Sequence, residues 1–145
     1  MADVRVPSSA GVPLDDPIPD AFTRPWWDAT RAHRLLVRRC AECGRAFHPP
    51  RPLCPHCWSA LVAWDEATGR GTIYSFSVVH ENDLGVFRGA TPYVIAVVEL
   101  DEGARVMTSI VDSEPAALRV GARVEVRFVD RDEFTFPCFR VVAES

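Results

Sequence analysis

The order of apolar and polar positions changes character twice along the chain. Residues 1–20 place Pro7, Pro13, Pro17 and Pro19 among small and acidic neighbours with no hydrophobic period, the composition of a linker or tail. From residue 21 a helical spacing begins. Phe22, Trp26, Trp27, Ala29, Thr30 and His33 predict a short amphipathic helix within 21–35, with Thr23 as its cap and Pro25 in its first turn. Adjacent helical positions stand about 100° apart, so Trp26 and Trp27 do not easily face one core, and one of them is expected to meet a second surface. Both cover the following modules, or one is open to a partner.

Beyond the helix the period shortens to that of strands. Leu35 to Arg39 and Ala46 to His48 read as a small hairpin, followed by a stiff connection through Pro49, Pro50 and Pro52. Segments rich in Val, Ile, Thr and aromatics then recur. Leu61–Ala67 runs through the bend Gly69-Arg70-Gly71 into 72–80, and is followed by 93–100, 104–111, 123–130 and 134–142. Asp101-Glu102-Gly103 supplies a hairpin turn, and 114–118 is long enough for one helical turn. Five strands with a long bent first member and a short helix after the third predict an OB-type barrel over 65–145. The fold class expected is mainly β: an N-terminal helix, a ribbon over 36–64 and a C-terminal five-stranded OB-fold barrel.

The ribbon carries the clearest chemistry. Cys40-Ala-Glu-Cys43 and Cys54-Pro-His-Cys57 are two pairs separated by ten residues. Thiolates three positions apart on a tight turn converge on one ion, and a second such turn completes a tetrahedral shell. Cys40, Cys43, Cys54 and Cys57 are therefore the expected metal ligands, with zinc as the structural ion and iron also satisfied by four sulfurs. A closed set of four leaves no open position for water, so the ion supports the fold and does no chemistry. Gly44 suits the first turn, but Trp58 stands at the equivalent place of the second, so the two knuckles need not be equally regular. His56 reads as a solvent-facing turn residue. The start MADVRVPSSAG lacks an apolar core with a cleavage site, which speaks against disulfides formed on secretion.

Charge divides the chain. Residues 21–60 hold seven arginines against Asp28 and Glu42, a net of +5, whereas 61–145 hold eight arginines against fourteen carboxylates, a net of −6. Arg38, Arg39, Arg45 and Arg51 surround the metal module and form either a docking face for a phosphate-bearing ligand or acidic partner, or a solvated surface. The acidic barrel argues against nucleic acid. No apolar stretch is long enough for a membrane span, and a cytoplasmic location is expected. Cys138, among apolar neighbours, reads as a buried inert thiol. The connection 81–91 places Leu84, Val86 and Phe87 on a loop, which either contacts a ligand or partner or plugs one end of the barrel. No catalytic set emerges.

The helix with WWDATRAHRLLVRRCAECG, the stretch FHPPRPLCPHC, the bend GRGTIYSFSVVH and the strands TPYVIAVVELDEGARVMTSIV together resemble the family called domain of unknown function 35. The resemblance spans nearly all of 21–142. It implies N-terminal helices, a rubredoxin-like zinc ribbon ligated by Cys40, Cys43, Cys54 and Cys57, and an OB-fold. It also implies a non-catalytic subunit of a thiolase-like or lipid-transfer-type acyl-CoA enzyme, such as a steroid side-chain aldolase, that helps form an acyl-CoA channel. In fused relatives the module follows a hydratase-like domain, and the proline-rich start resembles that joint. On this reading Trp26, Trp27, Arg38, Arg39, Arg45, Arg51 and Phe87 are the candidate contacts to partner or CoA. The alternatives are a stand-alone acyl-CoA binding protein or, less favoured, a single-stranded nucleic-acid-binding OB-fold protein.

Overall fold

The computed structural model describes residues 6–143. Helix α1 spans Arg24–Arg31. Thr23 makes no side-chain cap bond. The cap lies one turn earlier, where the Asp20 carboxylate accepts the Thr23 N–H at 2.7 Å, and that bond is the largest cause holding the Asp20 pKa below its ordinary value. The helix also stops before Leu35. His33 takes a left-handed φ of 55°, the Arg34 N–H donates to the Ala29 carbonyl and the His33 N–H to the Thr30 carbonyl. This is a Schellman stop with histidine at the position that glycine usually fills. Tertiary contacts hold it there: the His33 ring stacks on Phe128 at 5.0 Å and its Nε2 lies 2.9 Å from Asp130. Local sequence carried no such signal.

Strands β1 (Leu35–Cys40), β2 (Ala46–Phe47) and β3 (Val62–Ala67) form the ribbon sheet in the order β2-β1-β3. Residues 62–67, expected as the first half of a bent barrel strand, instead pair antiparallel with β1 along its whole length, from Leu35↔Ala67 to Cys40↔Val62. The chain then turns at Thr68-Gly69 into the barrel. Gly71 is required at that corner because a Cβ there would stand 2.3 Å from the Glu99 carbonyl oxygen.

The barrel comprises β4 (Arg70–Val79), β5 (Tyr93–Leu100), β6 (Arg105–Ile110), β7 (Arg123–Asp130) and β8 (Thr135–Val141). They close in the order β4-β5-β6-β8-β7, with β7 returning to β4 at Arg70↔Glu125. A 3-10 turn, Pro115–Ala117, lies between β6 and β7 where a single helical turn was expected. This order, with a helical turn after the third strand, is that of the OB-fold. Parallel β6 and β8 meet at one register pair, Ile110↔Phe139.

One core runs through both modules. Leu35, Val37 and Ala46 of the ribbon and Trp26 of the helix join Ile73, Val94, Val98, Ile110 and Phe139 of the barrel. The proline-rich segment also has a seat: Val12, 4% exposed, packs with Val111, Val129 and Cys138. One nitrogen of Arg131, Nη2, donates to the carbonyls of Ser9, Ala10 and Val12 at 3.2–3.3 Å.

Candidate metal centre and apolar groove

The four cysteine sulfurs lie within 4.8 Å of one another. Cys40 and Cys57 stand 3.6 Å apart, as do Cys43 and Cys54. A tetrahedral ion with Zn–S bonds near 2.3 Å requires sulfurs about 3.8 Å apart, so these residues fit such an ion. The Cys43 N–H, the largest cause, and the Glu42 N–H lower the Cys40 pKa to about 7, whereas at Cys57 the Ser59 N–H is outweighed by burial and the neighbouring sulfurs, which push it up to about 12. The His56 N–H donates to Cys54 Sγ at 3.4 Å, while the imidazole is turned outward to Arg45. Four converging thiolates are consistent with structural zinc, and when bound the ion cross-links the two knuckles.

The knuckles are equivalent in backbone, with Trp58 taking the place that Gly44 holds in the first. Gly44 N–H donates to the Cys40 carbonyl and Trp58 N–H to the Cys54 carbonyl, both at 2.9 Å. Gly44 has φ 73° and Trp58 φ 64°. Trp58 thus adopts the left-handed conformation at a cost of roughly 1–2 kcal/mol that glycine would not incur, with 77% of its surface exposed. Trp58→Gly is expected to leave metal stoichiometry unchanged and to raise stability by about 1 kcal/mol after the extra unfolded-state entropy of glycine is deducted. Thermal unfolding of the metal-saturated protein checks this; a clear loss of stability would mean that the ring itself contributes to packing.

The two tryptophans of α1 face two modules. The Trp26 Nε1–H donates to the Leu36 carbonyl at 3.0 Å and its ring meets His48 of the ribbon. Trp27 packs edgewise on Phe134 and Phe136 of the barrel. Together they border a groove of about 520 Å3, walled also by Ile95 and Met107 on β5 and β6, Pro137 on β8, Phe87 on the 81–91 loop, and Pro13 and Leu14 of the N-terminal segment. This is the β5–β6 face of the barrel, the strands and loops with which OB-folds meet their ligands. Its size and apolar lining are those of a small-molecule site. The 81–91 loop divides its apolar residues: Phe87 packs on Tyr93 at 5.6 Å, whereas Leu84 and Val86 are exposed.

The structure does not gather the four arginines. Neighbouring positions on β1 point to opposite faces. Arg38 is buried, its guanidinium over Trp64 at 4.7 Å and Phe22 at 5.4 Å, with Nη2 on the Val62 carbonyl and Nε without a partner. Arg39 pairs with Asp65 at 2.6 Å and donates to the Gly44 carbonyl. Arg45 contacts His56, and Arg51 is exposed. None of the four lines the groove.

Cys138 and His48, far apart in sequence, do line it. Burial pushes the Cys138 thiol up to about 12 and the His48 imidazole down to about 4. Both are therefore neutral at physiological pH and no hydrogen bond joins them, so the pair lacks the thiolate–imidazolium character of a cysteine nucleophile. The signal for the groove that sequence reasoning passed over is β5, where Ile95 and Val97 are apolar at outward positions, the mark of a strand covered on both faces.

Among the described residues no helix is long and apolar enough to cross a membrane. Residues 27–63 match the family model of the ChsH2 rubredoxin-like zinc ribbon domain and 64–129 that of the ChsH2 C-terminal OB-fold domain. A probable enoyl-CoA hydratase alpha subunit of Thermomonospora curvata is 42% identical over 118 residues, 79% of this chain and 36% of that protein. The chain thus spans about a third of that relative's length. A DUF35 domain-containing scaffold protein of Methanothermobacter thermautotrophicus is 37% identical over 106 residues, covering 72% of this chain and 79% of that one. The solved structure of an Ltp2-ChsH2(DUF35) aldolase superposes with a TM-score of 0.74 at 38% identity, over 87% of this chain and 98% of that chain. A closed four-cysteine ribbon, an OB barrel behind it and these matches place the chain in the DUF35 family, with the zinc ribbon and OB-fold of ChsH2.

Proposed function

We propose that this chain is a non-catalytic accessory subunit that docks on a thiolase-like acyl-CoA enzyme and lends its groove to the channel for the acyl chain. The observation that carries the reading is the groove itself: a large apolar hollow on the ligand face of the barrel, beside a metal site closed to substrate. The family resemblance, the scaffold protein among the relatives and the aldolase assembly among the solved structures support it. Trp27 and Phe87, at the groove, are the candidate contacts with the acyl chain or partner. Arg45 and Arg51, exposed on the ribbon and outside the groove lining, are candidates for contact with the partner, whereas Arg38 and Arg39 are already engaged within the ribbon.

Two other readings divide on the same surface. Single strands of nucleic acid need a basic track beside stacking rings, and the groove lining contains no arginine or lysine. A stand-alone acyl-CoA binding protein needs cations at the mouth to meet the CoA phosphates, which a partner enzyme would otherwise supply. Co-expression with thiolase-like proteins from the same genome decides. A stable complex on size exclusion, with activity that the thiolase-like protein lacks alone, is the expected outcome. If none co-purifies or gains activity while the isolated chain binds acyl-CoA in a calorimeter, the stand-alone reading replaces this one.

A further inference from the structure

The segment before α1 forms one wall of the groove through Pro13, Leu14 and Asp15. The opposite walls are β5, β6 and β8 and the helix, each fixed by a backbone ladder or by the core. This wall is fixed differently. Arg131 Nη2 has two protons to share among three carbonyls, those of Ser9, Ala10 and Val12, each at 3.2 Å or more. The Ser9 N–H donates to Asp112 Oδ1 at 2.8 Å, and the Asp112 N–H to the Pro7 carbonyl at 3.0 Å. Asp112 itself sits at φ 47°, left-handed for a residue that is not glycine, and pairs with Arg127. Val12 and Pro13 are the two buried side chains of this segment, with Val6 and Leu14 packed only in part; Val12 packs on Cys138, which also lines the groove.

The wall can therefore shift without breaking any sheet. We propose that residues 6–15 are an adjustable strap that selects the bulk of the apolar ligand taken into the groove, with Arg131 and Asp112 as its latch and Leu14 as its contact. The inference rests on the reading of the groove as an apolar ligand site. A latched strap keeps the groove narrow and favours a single unbranched chain; a released strap widens it and favours a bulky ring system at the chain's expense.

The test titrates the metal-loaded full chain with two fluorescent probes, parinaric acid as the single chain and anilinonaphthalene sulfonate as the bulky one, while hydrogen exchange follows the Ser9 amide. Wild type is expected to prefer parinaric acid. Arg131→Gln should speed exchange at Ser9 and weaken parinaric acid about tenfold while the bulky probe holds or gains. Leu14→Ala should shift the preference the same way with Ser9 exchange unchanged, and it decides alone if the arginine variant does not fold. Equal shifts for both probes, no shift despite faster Ser9 exchange, or a Ser9 amide that stays protected in the arginine variant would each overturn the strap. So would a wild type that binds neither probe, a result that leaves subunit docking on a partner enzyme standing.

Discussion

Removing the metal is expected to unfold the ribbon and to loosen the helix and groove with it. The ribbon's own apolar resource is small: beneath the knuckles only Cys40, Phe47 and Cys54 are buried together, with Val62 against them, and two of those three are ligands. β2 is two residues long. A module of this size has little to hold it without the ion, and structural zinc contributes on the order of 10 kcal/mol to such units. The unfolding should spread, because Leu35, Val37 and Ala46 belong to the core that holds Trp26. Chelation should release one equivalent of metal, lower the near-ultraviolet circular dichroism and shift tryptophan emission to the red as Trp26 and Trp64 become wet. A chelated protein with unchanged spectra and unchanged partner affinity would show that the ribbon stands on its own sheet.

Trp26→Ala carries the second large effect. Trp26 is 8% exposed, meets Trp27 edge to face at 4.7 Å, donates to the Leu36 carbonyl and packs on His48. Deleting a buried tryptophan costs about 3–5 kcal/mol through lost transfer energy and the cavity left behind, and here it also removes the donor from the part-buried Leu36 carbonyl. Denaturant unfolding should show a loss of this size with the slope unchanged. Trp27→Phe is the control, since Trp27 is only half-buried: it should leave stability nearly intact. A Trp26→Ala chain within about 1 kcal/mol of wild type would mean that helix and ribbon are held together elsewhere.

Much of this architecture was readable from residues alone, and the exceptions have physical causes. The metal ligands were legible because ligand spacing is a local property of two turns. The barrel strands were legible because β-branched runs broken by Asp-Glu-Gly and Gly-Arg-Gly leave little choice of period. What escaped depended on contacts distant in sequence. His33 ends the helix because Phe128 and Asp130 hold it, and nothing near residue 33 announces them. Residues 62–67 joined the ribbon because β1 offered a full-length partner, a pairing invisible to composition. The arginine group looked like one face in the sequence, but strand alternation and Trp64 drew Arg38 inward. The proline-rich start read as linker because its fastening, Arg131, lies more than a hundred residues away.

The meeting of β6 and β8 at a single register pair has a mechanical consequence. Pro137 brings no N–H to that junction, and the Thr108 hydroxyl, donating to the Pro137 carbonyl at 2.9 Å, is a side-chain rivet where a ladder rung would otherwise be. Elsewhere the barrel wall is stitched by several pairs per strand, so its elastic compliance is concentrated along this seam. Both Thr108 and Pro137 line the groove. Apart from the Val111 N–H donating to the Phe139 carbonyl at 2.9 Å, little backbone bonding crosses this line, so if the groove takes an acyl chain as proposed, its floor is the part of the barrel wall with the fewest backbone pairs to hold it.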